Sequence, residues 1–224
     1  SAASWAEQYV LLGAGYDSRA HRLELPSSLR IFEVDQAEVQ ARKRSKLSKE
    51  LPNSENVTYV TVDFTNQSLT KKLMDAGFDQ SKSTVFTLEG VSQYVTKEAV
   101  SSTIKGMATL TQKASSIFFI SYVNELLNKN PEVCFGKGYP NAAKRAKLIT
   151  NLAAKAGEPW ISFYGAEEIE SVLSQNGYSI KENVTMKDLN SQYFAPIGRT
   201  LPENQLFYME HCVVAKSIGY EESM

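Results

Sequence analysis

Residues 8–23 read QYVLLGAGYDSRAHRL, and this stretch decides the fold. Residues 8–12 are a compact apolar run that stops at Gly13, the form of a buried strand. Gly13-Ala14-Gly15 follows, and glycines at the C-terminal end of a strand let the chain turn tightly and bring bare backbone against a ligand. A tight strand-to-helix turn also needs glycine for structural reasons alone, so the motif gains meaning only from the ends of later strands. A dinucleotide fingerprint asks for a third glycine at position 18, where Ser18 stands. That ranks a nicotinamide or flavin enzyme below other readings.

Working outward, further strand-like runs lie at 29–34 (LRIFEV), 57–62, 85–88 (VFTL) and 117–122 (IFFISY). Between them are segments with helical spacing. Residues 36–49 are polar and lysine-rich, with Ala37, Val39, Ala41 and Leu47 as apolar positions. Leu69 and Leu73 precede Gly77, a C-terminal cap, and Thr96 caps a helix carrying Val100, Ile104, Met107 and Leu110. Five alternations of strand and helix predict an α/β protein with a largely parallel sheet and helices on both faces. Residues 124–138 are irregular, 141–156 predict a helix, 166–174 a second one ended by Gly177, and 178–182 and 206–215 two closing strands. The expected organisation is one domain over 1–224 with a cap or lid inserted at about 124–165.

The chain has 224 residues, 24 basic and 25 acidic side chains and a net charge of −1, with 42% hydrophobic and 22% charged residues. Near-neutral charge gives no electrostatic reason to expect nucleic acid or an anionic membrane as partner. No apolar run approaches the ~20 residues of a membrane helix, and a cytoplasmic location is expected. Cys134, Cys212, His21 and His211 are too few and too scattered for a zinc site, and the cysteines are expected as free thiols.

Acids stand at three strand ends. Asp35 follows Gly15 by 20 residues, where a carboxylate accepts ribose hydroxyls; it also suits the N-cap of the helix that starts at Gln36. Asp63 and Phe64 end the third strand, placed to meet an adenine amino group and ring face, or to form a turn through Thr65 and Asn66. Glu89-Gly90 ends the fourth. Any one of them alone reads as a surface-loop carboxylate. Three consecutive strand ends behind a glycine turn fit an adenosine with a cationic neighbour, which points to S-adenosylmethionine.

The strings YVLLGAGYDSRAHRL, IFEVDQAEVQARK, VTVDFTNQSL, STVFTLEGVSQYVTKEAV and GEPWISF resemble the leucine carboxyl methyltransferase superfamily, closest to its small-molecule O-methyltransferase branch. The likeness is strongest over 7–123. It implies a Rossmann-like class I methyltransferase fold of seven strands with the last antiparallel, and S-adenosyl-L-methionine as cofactor. It places Gly13 and Gly15, with Ala14 between them, along the methionine and ribose. Asp35 falls at the ribose hydroxyls, Asp63 and Phe64 at the adenine, and Glu89-Gly90 near the cofactor's amino group. Two departures stand out. The family carries several dozen residues before its first strand, including a basic residue for the cofactor's carboxylate, so a truncation or a natural short form is expected. The family's Asp-Leu-Arg at the adenine reads Asp63-Phe64-Thr65 here.

The resemblance implies methyl transfer to a small-molecule acceptor. A carboxylate acceptor is ionised at pH 7 and needs no base, whereas a hydroxyl wants one. Since His211 falls inside the last strand and His21 on a short helix, both read as packing residues, and a carboxylate is mildly favoured. No catalytic residue is assigned. Tyr94 and Tyr122 are candidates for the acceptor pocket, with strand-end packing as the competing reading, and Trp160 belongs to the cap or to loop packing. Arg42, Lys43, Arg44, Lys46 and Lys49 read as a solvated basic helix face. Two other functions stay open: methylation of a protein C-terminal leucine carboxylate, and a methyltransferase-like scaffold that binds cofactor weakly.

Overall fold

Short apolar runs become strands and the amphipathic stretches between them become helices in the computed structural model, which describes residues 5–50, 55–64 and 67–218. Thr65 and Asn66 lie outside the described residues. The strands are β1 (Gln8–Leu12), β2 (Arg30–Asp35), β3 (Val57–Thr61), β4 (Thr84–Leu88), β5 (Ser116–Val123), β6 (Tyr178–Thr185) and β7 (Glu210–Ser217). They form one sheet in the order β3-β2-β1-β4-β5-β7-β6. β1 to β5 pair in parallel, and β7 runs antiparallel to both β5 and β6. This is the expected α/β sheet with its last strand reversed.

Eight α-helices accompany the strands among the described residues: α1 (Arg19–Arg22), α2 (Ala37–Glu50), α3 (Leu69–Asp75), α4 (Lys97–Leu110), α5 (Leu126–Lys129), α6 (Ala142–Lys155), α7 (Ala166–Gln175) and α8 (Met186–Leu189). The Thr96 hydroxyl accepts from Ala99 N at the start of α4, and Val100, Ile104, Met107 and Leu110 are all buried, as their spacing predicts. The closing strand starts four residues later than expected. Residues 206–209 instead run beside the inserted segment, where Phe135 bridges to Phe207, meets its ring edge-on at 5.7 Å and lies tilted against Tyr139 at 4.7 Å.

Side chains alternate between the two faces of the sheet. On one face the register aligns Phe32, Val10, Phe86 and Phe118. Phe32, Phe78, Phe86, Phe118 and Tyr178 form a chain of ring contacts at 5.8, 6.1, 6.3 and 5.7 Å. Leu73 of α3, Ile104 of α4 and Leu173 of α7 close over it. On the other face Leu11 and Ile31 pack with Ala20 of α1. Val123, Leu127, Cys134, Phe135, Ala142 and Ala146 make a separate apolar cluster within and beside 124–165, against which Trp160 packs. Both cysteines are free. Among the described residues no helix is long and apolar enough to cross a membrane, and no group of His, Cys, Asp or Glu could hold a metal ion.

Candidate functional site

The turns after β1 and β4 line a single cleft of about 610 Å³ at the C-terminal edge of the sheet, where open α/β sheets bind ligands. Gly13 has φ +67°, Gly15 +45° and Gly90 +67°, a region that side chains disfavour. Gly13 N and Ala14 N both donate to Val34 O, at 2.8 and 3.0 Å, which hooks the first turn onto β2. A Cβ at Gly13 would collide with Val91 Cγ2, whereas one at Gly90 would meet nothing within 4 Å. Gly90 N donates to Ser121 Oγ of β5 at 2.8 Å, fixing the second turn.

Charge is concentrated here. Asp17 accepts from Arg19 N at 2.8 Å and Arg19 Nε at 2.7 Å, and Arg19 Nη2 donates to Glu89 Oε2 at 2.6 Å. Burial pushes the Asp17 carboxyl up, but the Arg19 side-chain and backbone donors outweigh it and hold it below its ordinary value. The Asp17 hydrogen bond raises Arg19 in turn, so both stay charged. Asp17, Glu89 and Glu210 line the cleft against Arg19 and Arg22. That acidic surplus suits a ligand carrying positive charge.

The structure therefore brings Gly13, Ala14, Gly15, Glu89 and Gly90 together around one space. Asp35 stands one hydrogen bond behind it: Oδ2 accepts from Gly15 N at 2.6 Å, and Oδ1 from Gln36 N at 2.7 Å. It ties the glycine turn to the start of α2 at once. Phe64 lines a neighbouring cavity of about 340 Å³ that also touches α3 and α4. Asp63, just before it, donates its backbone N–H to Gln67 Oε1 at 3.2 Å. Tyr94 is 37% exposed in a 3-10 turn and lies outside the cleft lining.

Two expectations need correction. Tyr122 is fully buried and does not line the cleft. It projects from the same face of β5 as Phe118 and Ile120, away from Ser121, and its hydroxyl meets Asn183 Oδ1 at 3.3 Å and His211 Nδ1 at 3.1 Å. Burial pushes this phenol up to about 12. His211 is held between Tyr122 and Asn124 Nδ2, a packing residue as expected. The second correction is Lys43, which is not on a solvated face. With Gln40 and Leu47 it forms the buried stripe of α2 at helical spacing, and its Nζ lies 2.7 Å from Glu33 Oε2. His21 Nε2 lies 3.3 Å from the other oxygen of Glu33. Arg42, Arg44 and Lys46 remain exposed; the Lys49 side chain lies outside the described ones.

Asp17, Arg19, Thr87 and Glu210, for which the sequence alone suggests no role, also line the cleft. Asp17 and Arg19 carried a signal: opposite charges two apart in a turn that already holds two candidate-site glycines. Glu210 carried none, because its strand was expected to begin at 206.

Residues 1–108 match the family described as leucine carboxyl methyltransferase. YktD of Bacillus subtilis, whose name places it among the S-adenosyl-L-methionine-dependent methyltransferases, is 35% identical over 210 residues, 93% of this chain and 66% of its own. FRAAL3718 of Frankia alni, with a name of the same kind, is 39% identical over 115 residues, 50% of this chain and 40% of its own. The chain thus spans about two thirds of one curated relative and two fifths of the other. A Thermobifida fusca structure described as a methyltransferase superposes with TM-score 0.59 at 17% identity, covering 96% of this chain and 74% of that one. The methyltransferase domain of bacterial CtHen1-C superposes with TM-score 0.55 at 15% identity, covering 96% and 91%. At such identities the likeness shows the fold, that of the class I methyltransferases. With the family matched across the glycine turn and the first four strands, and a relative aligned along nearly the whole chain, the protein belongs to the leucine carboxyl methyltransferase superfamily of S-adenosyl-L-methionine-dependent methyltransferases.

Proposed function

We propose that this protein is an S-adenosylmethionine-dependent O-methyltransferase that modifies a carboxylate or hydroxyl of a small molecule. The observation that carries the reading is the acidic cleft itself, with bare glycine backbone at two strand ends and Glu89 between them. The fit to the cofactor is good. Gly15 and Gly90 leave room where a Cβ would project, and the surplus of carboxylates matches a sulfonium and an ammonium. Gly13, Ala14 and Gly15 would run along the methionine and ribose, and Asp35 would accept ribose hydroxyls on lone pairs its two backbone donors leave over. Asp63 and Phe64 would meet the adenine, and Glu89-Gly90 the amino group.

When bound, the cofactor supplies a methyl group on a good neutral leaving group. The protein has to hold the acceptor in line with it and keep water out. No histidine lines the cleft, which favours an acceptor that is ionised already, a carboxylate, over a hydroxyl that needs a base. The segment 124–165, with its own apolar cluster, would shelter the acceptor.

Calorimetric titration with S-adenosylhomocysteine tests the assignment, with NAD as control and Asp35→Ala as variant. Micromolar binding by the native chain, weakened in the variant and absent with NAD, is expected. A native chain that binds no S-adenosylhomocysteine leaves only the scaffold reading. Methyl transfer to a panel of small carboxylic acids and phenols then separates the acceptor classes.

A further inference from the structure

We infer that Arg19 takes the carboxylate of the cofactor's amino-acid end while Glu89 takes its ammonium, so that the Arg19–Glu89 ion pair is exchanged for the ligand's own charges. The inference rests on the methyltransferase reading and assigns a role to a residue that the family resemblance left without one.

Three observations carry it. First, the pair stands in the cleft and not in the core: Nη2 lies 2.6 Å from Oε2, with the side chains 31% and 47% exposed. An ion pair this exposed contributes little to stability and is readily exchanged. Second, a bound amino acid is a zwitterion, and a site that neutralises it needs one acid and one base within touching distance of each other. Arg19 and Glu89 supply that arrangement, whereas Arg22, the other cation of the lining, is directed to Ser18 through Nε at 3.1 Å. Third, Arg19 is aimed before any ligand arrives. Asp17 grips it through Nε at 2.7 Å and through Nη2 at 2.6 Å, contacts that among the described residues leave Nη1 for a further oxygen group. A guanidinium fixed on one edge loses less freedom on binding and presents its fork to a carboxylate.

The test uses three ligands with the full chain: S-adenosylhomocysteine, its decarboxylated analogue S-adenosyl-3-thiopropylamine, and 5′-methylthioadenosine, which carries neither charge. Arg19→Gln is expected to weaken S-adenosylhomocysteine about tenfold or more, the scale of a lost charge-assisted contact. It should leave the decarboxylated analogue within about twofold of its native affinity, and Arg19→Lys should recover part of the loss. Glu89→Gln is expected to weaken both amine-bearing ligands and spare methylthioadenosine. Equal weakening of all three ligands by Arg19→Gln, or no weakening of any, overturns the inference, and thermal melts of each variant separate misfolding from lost contact. Failure of the native chain to bind S-adenosylhomocysteine overturns this inference together with the proposed function. Binding that shows no carboxylate-dependent loss overturns the role of Arg19 alone.

Discussion

Glu33, Lys43 and His21 sit behind the glycine turn with side-chain exposures of 0, 3 and 0%. Burial pushes the Glu33 carboxyl up, and the hydrogen bond from Lys43 opposes it. Taking such a pair out of water is costly, and removing one partner strands the other. Glu33→Gln is therefore expected to cost about 3–5 kcal/mol in urea unfolding, while the double change Glu33→Met with Lys43→Met costs distinctly less. A double variant as unstable as the single one would show that the cluster is held by something other than mutual charge. At Gly13 two separate costs meet, the positive φ and the collision with Val91. Gly13→Ala is expected to lose about 1–3 kcal/mol, and adding Val91→Ala should return only the steric share. Lys43 also marks the limit of reading single residues. In a run of basic side chains nothing local tells which one points inward; that depends on the phase of α2 against β2 and on Glu33 waiting there, and both are tertiary facts.

At the scale of elements, most of the architecture was legible, because periodicity and capping are local. The first five strands lie within one residue of their expected ends, and the buried stripe of α4 is the one its spacing implied. Thr96→Ala removes the acceptor for Ala99 N and is expected to lower stability by about 1 kcal/mol, read as a shift in urea midpoint at unchanged slope. What could not be read is where side chains of equal type go when an element has two faces. Tyr122 and Ser121 are neighbours in β5, yet parity sends the tyrosine under Tyr164, at 6.2 Å and 81°, and the serine to the turn of Gly90. The late start of β7 has a similar cause. Residues 206–209 are apolar enough for a strand, but Phe207 finds ring partners in the inserted segment instead.

For the molecule as a whole, burial of ionisable groups sets the response to alkali. Burial pushes the Cys134 and Cys212 thiols up to about 11 and the Tyr122 and Tyr178 phenols up to about 12. In the unfolded chain these groups ionise near 9 and 10, so above pH 9 the unfolded state sheds protons that the folded state keeps. Stability is expected to be level just below pH 9 and to fall as pH rises from there toward about 11, seen as a decreasing urea midpoint on the alkaline side. His211 acts at the other end. Burial lowers its pKa, so its contribution is present above the ordinary value of 6.5 and is lost as pH falls below it, and His211→Gln should flatten that limb. The position of the cleft was legible from the strand-end acids, since parallel topology gathers such ends on one edge. Its electrostatics were not, since Glu89 and Glu210 join Asp17 and Arg19 around the cleft only when β4 and β7 are in place. That order of assembly has a temporal side. β7 lies between β5 and β6, and among the described residues β6 pairs with no other strand. On a ribosome adding about 5–20 residues per second, β6 emerges with no neighbour to receive it, and β5 keeps a bare edge until residues 210–217 follow. The nascent chain thus passes through a five-stranded stage, β3-β2-β1-β4-β5, with the β5 edge on offer until β7 arrives to cover it.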